Sequence, residues 1–269
     1  EARLDDITQL IFTSGTTGEP KGVMHTANTL FSNIVPYAKR LHLNEDDVVL
    51  MASPMAHQTG FMYGLMMPIE LNAKVVLQDV WDVSQAVDLI HQHQVSFTMA
   101  STPFLNDLST TVAEQQDQVS SLKTFLCAGA PIPGSLVQKA RETLGVKVIS
   151  AWGMTECGAI TTTRPEDEDE RSFNTDGIAL PGVEIKIVNK AGEIKPLNEP
   201  GRLMIRACSS FGGYLKRAHL NDTDADDWFD TGDIAYQDEE GYIRIWGRKK
   251  DVIIRSEERR VGKECRSRW

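Results

Sequence analysis

The sequence is short of the features that mark membrane, nucleic-acid-binding or disulfide-stapled proteins. Its four cysteines, Cys127, Cys157, Cys208 and Cys265, form no C-x-x-C or Cys/His spacing, so free thiols in a reducing, cytoplasmic compartment are expected. No apolar run reaches the roughly 18 residues that a membrane span requires. There is no excess of positive charge: 28 Lys and Arg face 38 Asp and Glu, a net charge of −10, which argues against a nucleic-acid surface. The opening Glu-Ala-Arg-Leu-Asp-Asp reads as neither a signal nor a transit peptide. Internal repeats and low-complexity linkers are missing too. What is there is 269 residues, 41% hydrophobic and 25% charged. That composition is ordinary for a globular chain, and the length suffices for one large domain or two modest ones.

One stretch does not match the rest. Residues 255–269 carry six Lys and Arg and three Asp and Glu, while the preceding 254 residues carry 22 and 35. This tail has no helical or strand periodicity. It looks like one reading frame of a sequencing adapter, and it is expected to be non-native and to lie outside the fold.

Before it, the pattern splits in two. Val48–Ser53, Lys74–Gln78, Ser96–Ser101, Leu122–Ala128 and Val146–Ala151 read as strands. Between them Val83–Gln94 and Gly134–Leu144 read as helices, the second ended by Gly145. Such alternation predicts a parallel or mixed sheet with helices on its faces. From about residue 181, Val183–Asn189, Gly201–Ala207, Ile234–Gln237 and Tyr242–Trp246 read as alternating strands, with a hairpin turn at Asp238–Gly241. The expected class is α/β layers followed by a β-rich part. The acidic run Glu166–Glu170 reads as a solvated loop, and His91 and His93, two apart on a helix, do not share a face and read as surface residues.

After the apolar run Ile7–Phe12 comes Thr13-Ser14-Gly15-Thr16-Thr17-Gly18-Glu19-Pro20-Lys21-Gly22. Its glycines allow positive φ and close approach of a ligand, successive N–H groups form an anion-binding concavity, and Lys21 adds a cation. Glycine-rich turns are often only turns. This one is not a Walker loop, because Pro20 precedes Lys21 and Gly22 follows it.

The string resembles the signature loop of the adenylate-forming (AMP-binding) superfamily, which includes acyl-CoA synthetases, peptide-synthetase adenylation domains and luciferases. Three further motifs of that superfamily follow in order: Ser150-Ala151-Trp152-Gly153-Met154-Thr155-Glu156, Trp228-Phe229-Asp230-Thr231-Gly232-Asp233 and Gly247-Arg248-Lys249-Lys250-Asp251. The resemblance implies layered α/β sheets over residues 1–180, incomplete at the N-terminus, a distorted-barrel β-rich subdomain over 181–247, and a hinge motif over 248–254. It also implies an absent C-terminal lid domain and a fragment inactive by itself.

The implied chemistry is attack of a carboxylate on ATP to give an acyl-adenylate, then transfer to coenzyme A. The partners are thus a small carboxylic acid, ATP, Mg²⁺ and CoA. By the same resemblance Thr13, Ser14, Gly15, Thr16, Thr17, Gly18 and Lys21 cradle phosphates, and Gly129, Ala130 and Pro131 form the adenine-side turn. Trp152, with Gly153, stacks on adenine, Thr155 touches the α-phosphate, and Glu156 holds Mg²⁺. Asp233 accepts from the ribose hydroxyls, Arg248 contacts ribose and phosphate, Lys250 is the hinge, and His57 gates the acyl site.

Leu50–Met67 contains no Asp, Glu, Lys or Arg, which disfavours an amino-acid substrate. The string around His57 looks most like short- to medium-chain fatty acid and cyclohexanecarboxylate CoA ligases. The apolar stretch Gly60–Pro68, rich in Met, fits an acyl-pocket lining and a core helix equally well. A carrier-loading adenylation domain and a nucleotide-binding module without turnover are the rival readings.

Overall fold

A computed structural model describes residues 3, 5–13, 19–116 and 119–248. Ser14, Gly15, Thr16, Thr17 and Gly18, together with Lys250 and the tail 255–269, lie outside the described residues.

The chain opens with an antiparallel ribbon, β1 (Ile7–Thr13) and β2 (Lys21–Thr26), in which Thr13 pairs with Lys21. Helix α1 (Ala27–Arg40) follows directly. Thr26 and Thr29 close a capping box at its start, and Lys39 and Arg40 meet the carbonyl end. Next come β3 (Val48–Met51), α2 (Gln58–Phe61), a π-helical turn at Met62–Met66, α3 (Met67–Leu71) and β4 (Lys74–Leu77). Then follow α4 (Val83–His93), β5 (Phe97–Ala100), α5 (Thr102–Gln115), β6 (Thr124–Ala128), α6 (Gly134–Leu144) and β7 (Lys147–Met154). The chain continues through β8 (Gly158–Thr162), α7 (Asp169–Asn174) and β9 (Ile178–Ala179). It ends in β10 (Val183–Val188), β11 (Gly201–Ala207), β12 (Phe229–Gln237) and β13 (Ile243–Arg248).

The larger sheet has the order β4-β3-β5-β6-β7-β8-β9, parallel from β4 to β7 and antiparallel beyond. Its central strands β3, β5, β6 and β7 are covered on both faces, whereas the edge strand β4 is largely exposed. Val48 and Leu50 pack with α4, α5 and α6 through Ile90, Leu105, Leu108 and Val137. Val49 and Met51 pack on the other side with Leu30, Ile34, Tyr37 and Met67. Two-sided burial makes these strands continuous apolar runs, which is why they are legible in sequence. The smaller sheet, β10-β11-β12-β13, is antiparallel throughout and buries Ile187, Leu203, Ile205, Phe229 and Ile243 against Cys157 and Ile160 of the β8 region. This is the expected α/β assembly followed by a β-rich part.

Several expected boundaries move. β7 runs to Met154 rather than Ala151, because Ala151–Met154 gains a second, antiparallel partner in β8. β12 starts at Phe229 rather than Ile234, so Asp230–Asp233 lies in a strand and not in a bare turn. Arg248, expected to open the hinge, closes β13, where it pairs with Asp233; residues 249–254 lie outside the described residues. The acidic run is not a plain solvated loop. Asp169 bonds Lys147 and Arg141 and opens α7, and Asp167 accepts from the Tyr242 hydroxyl, while Glu166, Glu168 and Glu170 stay exposed. Helices α1 and α5 and strands β2 and β8 appear as elements the patterning did not single out. The stretch Gly60–Pro68 is mainly core: Met62, Tyr63 and Met67 are buried.

Candidate active site

Ligands in open α/β sheets sit outside the carboxyl ends of the parallel strands, and here a cleft of about 430 Å³ opens there. Its walls come from the residues after β3 (Ser53, Pro54, His57), the ends of β5 and β6 (Ala100, Ser101, Gly129) and the Trp152–Thr155 end of β7. Phe104, Met99 and Tyr63 line its apolar depth. Ala130 and Pro131 are exposed just beyond Gly129 and border a neighbouring shallow groove. Gly129 has φ +91°, which glycine adopts freely.

The segment Trp152–Glu156 is held at both ends. Trp152 is half-buried; its indole Nε1 donates to Oδ2 of Asp233 at 3.2 Å. The other oxygen of Asp233, Oδ1, faces Arg248 Nε at 3.1 Å. Asp233 is buried, and burial pushes its carboxyl above the usual carboxylate range, with Arg248 and then Trp152 pulling the other way. A carboxylate offers about four lone-pair positions, so two remain free to accept from a diol. Gly153 lies where β7 and β8 come closest: a Cβ there would meet the Gly158 carbonyl oxygen at 2.2 Å.

At the other end, the Glu156 carboxylate is 7% exposed and accepts from the Tyr214 hydroxyl through Oε1 at 2.6 Å. Lys21 Nζ lies over the Tyr214 ring, 4.6 Å from its centre. His25, buried in β2, places Nε2 2.8 Å from the Thr155 carbonyl oxygen and Nδ1 3.0 Å from the Thr29 hydroxyl. Burial lowers its pKa, so the ring is neutral and one nitrogen donates while the other accepts. The ribbon β1–β2 thus brings His25 to Thr155 and, through Tyr214, Lys21 to Glu156, with Thr13 paired to Lys21.

His57 caps α2 from across the cleft. Its Nδ1 accepts from the Thr59 amide at 3.2 Å, which leaves the proton on Nε2, and the side chain is exposed. Beneath it, Asn33 Nδ2 donates to the carbonyls of Cys157 at 3.2 Å and Ala159 at 2.6 Å, and Tyr63 donates to Asn33 Oδ1 at 2.7 Å. The Ala159 amide in turn donates to the Tyr63 oxygen at 2.8 Å. This network fixes the turn that carries Thr155 and Glu156.

Among the described residues no group of three or more His, Cys, Asp and Glu could hold a metal by itself. The donor set fits Mg²⁺ shared with a ligand: Glu156 supplies a hard carboxylate oxygen, Oε2, with no hydrogen-bond partner among the described residues, and a nucleotide's phosphates would complete the shell. Sequence patterning missed His25, Asn33 and Tyr214, while Tyr63 falls in the stretch Gly60–Pro68 that it offered as either pocket lining or core. The inward alternation of Val23 and His25 along β2 is the one local signal among them.

Relatives share this architecture. A medium-chain fatty-acid–CoA ligase of Escherichia coli strain K12 is 36% identical over 256 residues, covering 94% of this chain and 45% of its own length. A 2-succinylbenzoate–CoA ligase of Bacillus pumilus is 34% identical over 253 residues, covering 93% and 51%. The solved O-succinylbenzoate coenzyme A synthetase of Bacillus subtilis, in complex with ATP and magnesium ion, superposes with a TM-score of 0.87 at 31% identity, over 95% of this chain and 53% of its own. The chain spans about half the length of the curated relatives it matches. No helix among the described residues is long and apolar enough to cross a membrane. Residues 1–215 match the family described as AMP-binding enzyme, and the chain belongs to that family.

Proposed function

We propose that the protein of which this chain is part activates a carboxylic acid with ATP and passes the acyl group to coenzyme A. The observation that carries this reading is the segment Trp152–Glu156. It is tied to Asp233 and Arg248 at one end and to Tyr214 and Lys21 at the other, and its middle opens on the cleft facing His57.

In the first step a substrate carboxylate oxygen attacks the α-phosphorus of ATP, the bond to the β-phosphate oxygen breaks, and pyrophosphate leaves. Both reactants are anions, and like unit charges about 4 Å apart repel by roughly 4 kcal/mol at an effective dielectric near 20. Lys21, the loop amides and hydroxyls from Thr13 to Gly22 and the Thr155 hydroxyl offset that repulsion and stabilise charge on the phosphate oxygens. Glu156 would hold Mg²⁺, which when bound neutralises charge on those oxygens. Trp152 offers its face to the adenine, while Asp233 and Arg248 hold the ribose. Fixing the two reactants in line contributes on the order of several kcal/mol more. In the second step the CoA sulfur attacks the acyl carbon and AMP leaves; His57, at the acyl end of the cleft, gates this exchange.

Pro54, Tyr63, Met99, Ala100 and Phe104 line the cleft, and among its described lining residues there is no Asp, Glu, Lys or Arg to meet an α-amino group, which supports an apolar acyl end. A medium-chain fatty or alicyclic acid fits such a wall. The test is acid-dependent ATP–pyrophosphate exchange, in a protein carrying this chain with the flanking sequence its relatives have, across a panel of acids. Exchange that rises with C6–C10 or cyclohexane carboxylates and not with amino acids supports the reading. Nucleotide binding without exchange for any acid reduces the protein to a binding module and overturns it.

A further inference from the structure

The Glu156 carboxylate is nearly buried, yet it rests on no Lys or Arg among the described residues. Its Oε1 takes a 2.6 Å hydrogen bond from Tyr214, 58 residues away, and among the described residues its Oε2 takes none. A distance of 2.6 Å is in the range of a charge-assisted O–H···O⁻ bond.

Tyr214 is itself pinned from three directions. It bridges to Val23 of β2, its amide donates to Asn221 Oδ1 at 3.1 Å, and its ring meets Phe211 edge-on at 4.8 Å. Phe211 is held in turn by the Glu156 carbonyl, which accepts its amide at 2.8 Å. Lys21 lies against the ring face, and a cation there draws electron density from the phenol and strengthens its O–H as a donor. Burial first, and then the Glu156 charge, push the Tyr214 pKa upward, so the hydroxyl keeps its proton.

We propose that Tyr214 is the positioning residue for Glu156, occupying Oε1 so that Oε2 alone is aimed at a divalent cation, and linking that aim to Lys21 at the mouth of the phosphate loop. This rests on the adenylate-forming reading above. Residues that orient a metal-binding side chain typically tune metal affinity by about 10- to 100-fold.

The experiment is calorimetric titration of this chain with ATP at a series of Mg²⁺ concentrations, and with AMP without metal, for wild type, Y214F, E156Q and Y214F/E156Q. Y214F is expected to raise the Mg²⁺ concentration for half-maximal ATP binding by about 10-fold, and to leave metal-free AMP affinity within about twofold. In the E156Q background the Y214F change should add nothing further, since the hydroxyl then has no carboxylate to aim. An unchanged Mg²⁺ requirement overturns the proposal, as does equal weakening of ATP and AMP, which is what loss of packing alone produces. Full additivity in the double variant overturns it too. Wild-type chain that binds neither nucleotide would overturn the adenylate-forming reading itself, a result distinct from all of these.

Discussion

The indole of Trp152 and the carboxylate of Asp233, 81 residues apart, meet at 3.2 Å and join the larger sheet to the smaller one at the mouth of the cleft. Through Asp233 the same contact reaches Arg248 on β13. Three of the motifs that the sequence presents separately thus share one chain of polar contacts.

Asp233 stands where stability and binding oppose each other. Its folded pKa is raised above 3.8 by burial, so its contribution to stability is full at low pH and is lost as pH rises through the folded value. At neutral pH the ionised, desolvated carboxylate weighs against folding. D233N is therefore expected to melt no lower than wild type at pH 7, while its AMP affinity falls by about 10- to 100-fold, the range for hydrogen bonds to a charged group. Parallel melting and AMP titrations check both halves.

His25 has the opposite sense. Burial depresses its folded pKa below 6.5, so the stability it contributes is present above about pH 6.5 and is lost as pH falls toward the folded value. Wild-type urea midpoints should drop between pH 8 and pH 5.5, and those of H25Q, which can keep one hydrogen bond without titrating, should drop less. Equal slopes for the two proteins would contradict the assignment.

Asn33 is a buried junction between α1, Tyr63 and the turn after β7. N33A takes the Asn33 donor from two carbonyl oxygens and the acceptor from the Tyr63 hydroxyl, and each buried group left unsatisfied costs about 1–3 kcal/mol. Denaturant unfolding should show a loss of several kcal/mol with an unchanged m-value. G158A should also destabilise, because Gly158 has φ +69° and a Cβ there meets Asn33 at 2.8 Å.

Thiol reactivity separates the cysteines of the fold. Burial pushes Cys127 up to about 12 and Cys157 higher still, whereas Cys208 is exposed. The thiolate is the reactive form. Brief alkylation of the native protein followed by peptide mapping should mark Cys208 and spare Cys127 and Cys157, which become labelled only after unfolding.

These residues also mark what the sequence discloses. Strands such as Phe97–Ala100 and Thr124–Ala128 are legible because burial on both faces leaves an unbroken apolar run. Helix α1 is obscured by its Pro36 and its Asn- and Thr-rich start, although the capping box at Thr26 and the buried stripe Leu30, Ile34, Tyr37 and Ala38 account for it. β8 is short and follows β7 across a tight turn, so its pairing rather than its pattern defines it. The motif residues are legible as strings. Tyr214, His25 and Asn33 are not, because each acquires its role from a partner 58 to 130 residues away, a relation that no local window contains.

The most direct test of the account is AMP binding to this chain by calorimetry, for wild type, W152A and the exposed control C208S. The account predicts one-to-one binding by wild type and C208S. W152A should weaken it by about 10-fold or more, since stacking of a base on an aromatic side chain is worth roughly 1–3 kcal/mol. No measurable AMP binding by wild type, or equal affinity in W152A, would contradict the claim that Trp152–Glu156 forms the wall of an adenylate site.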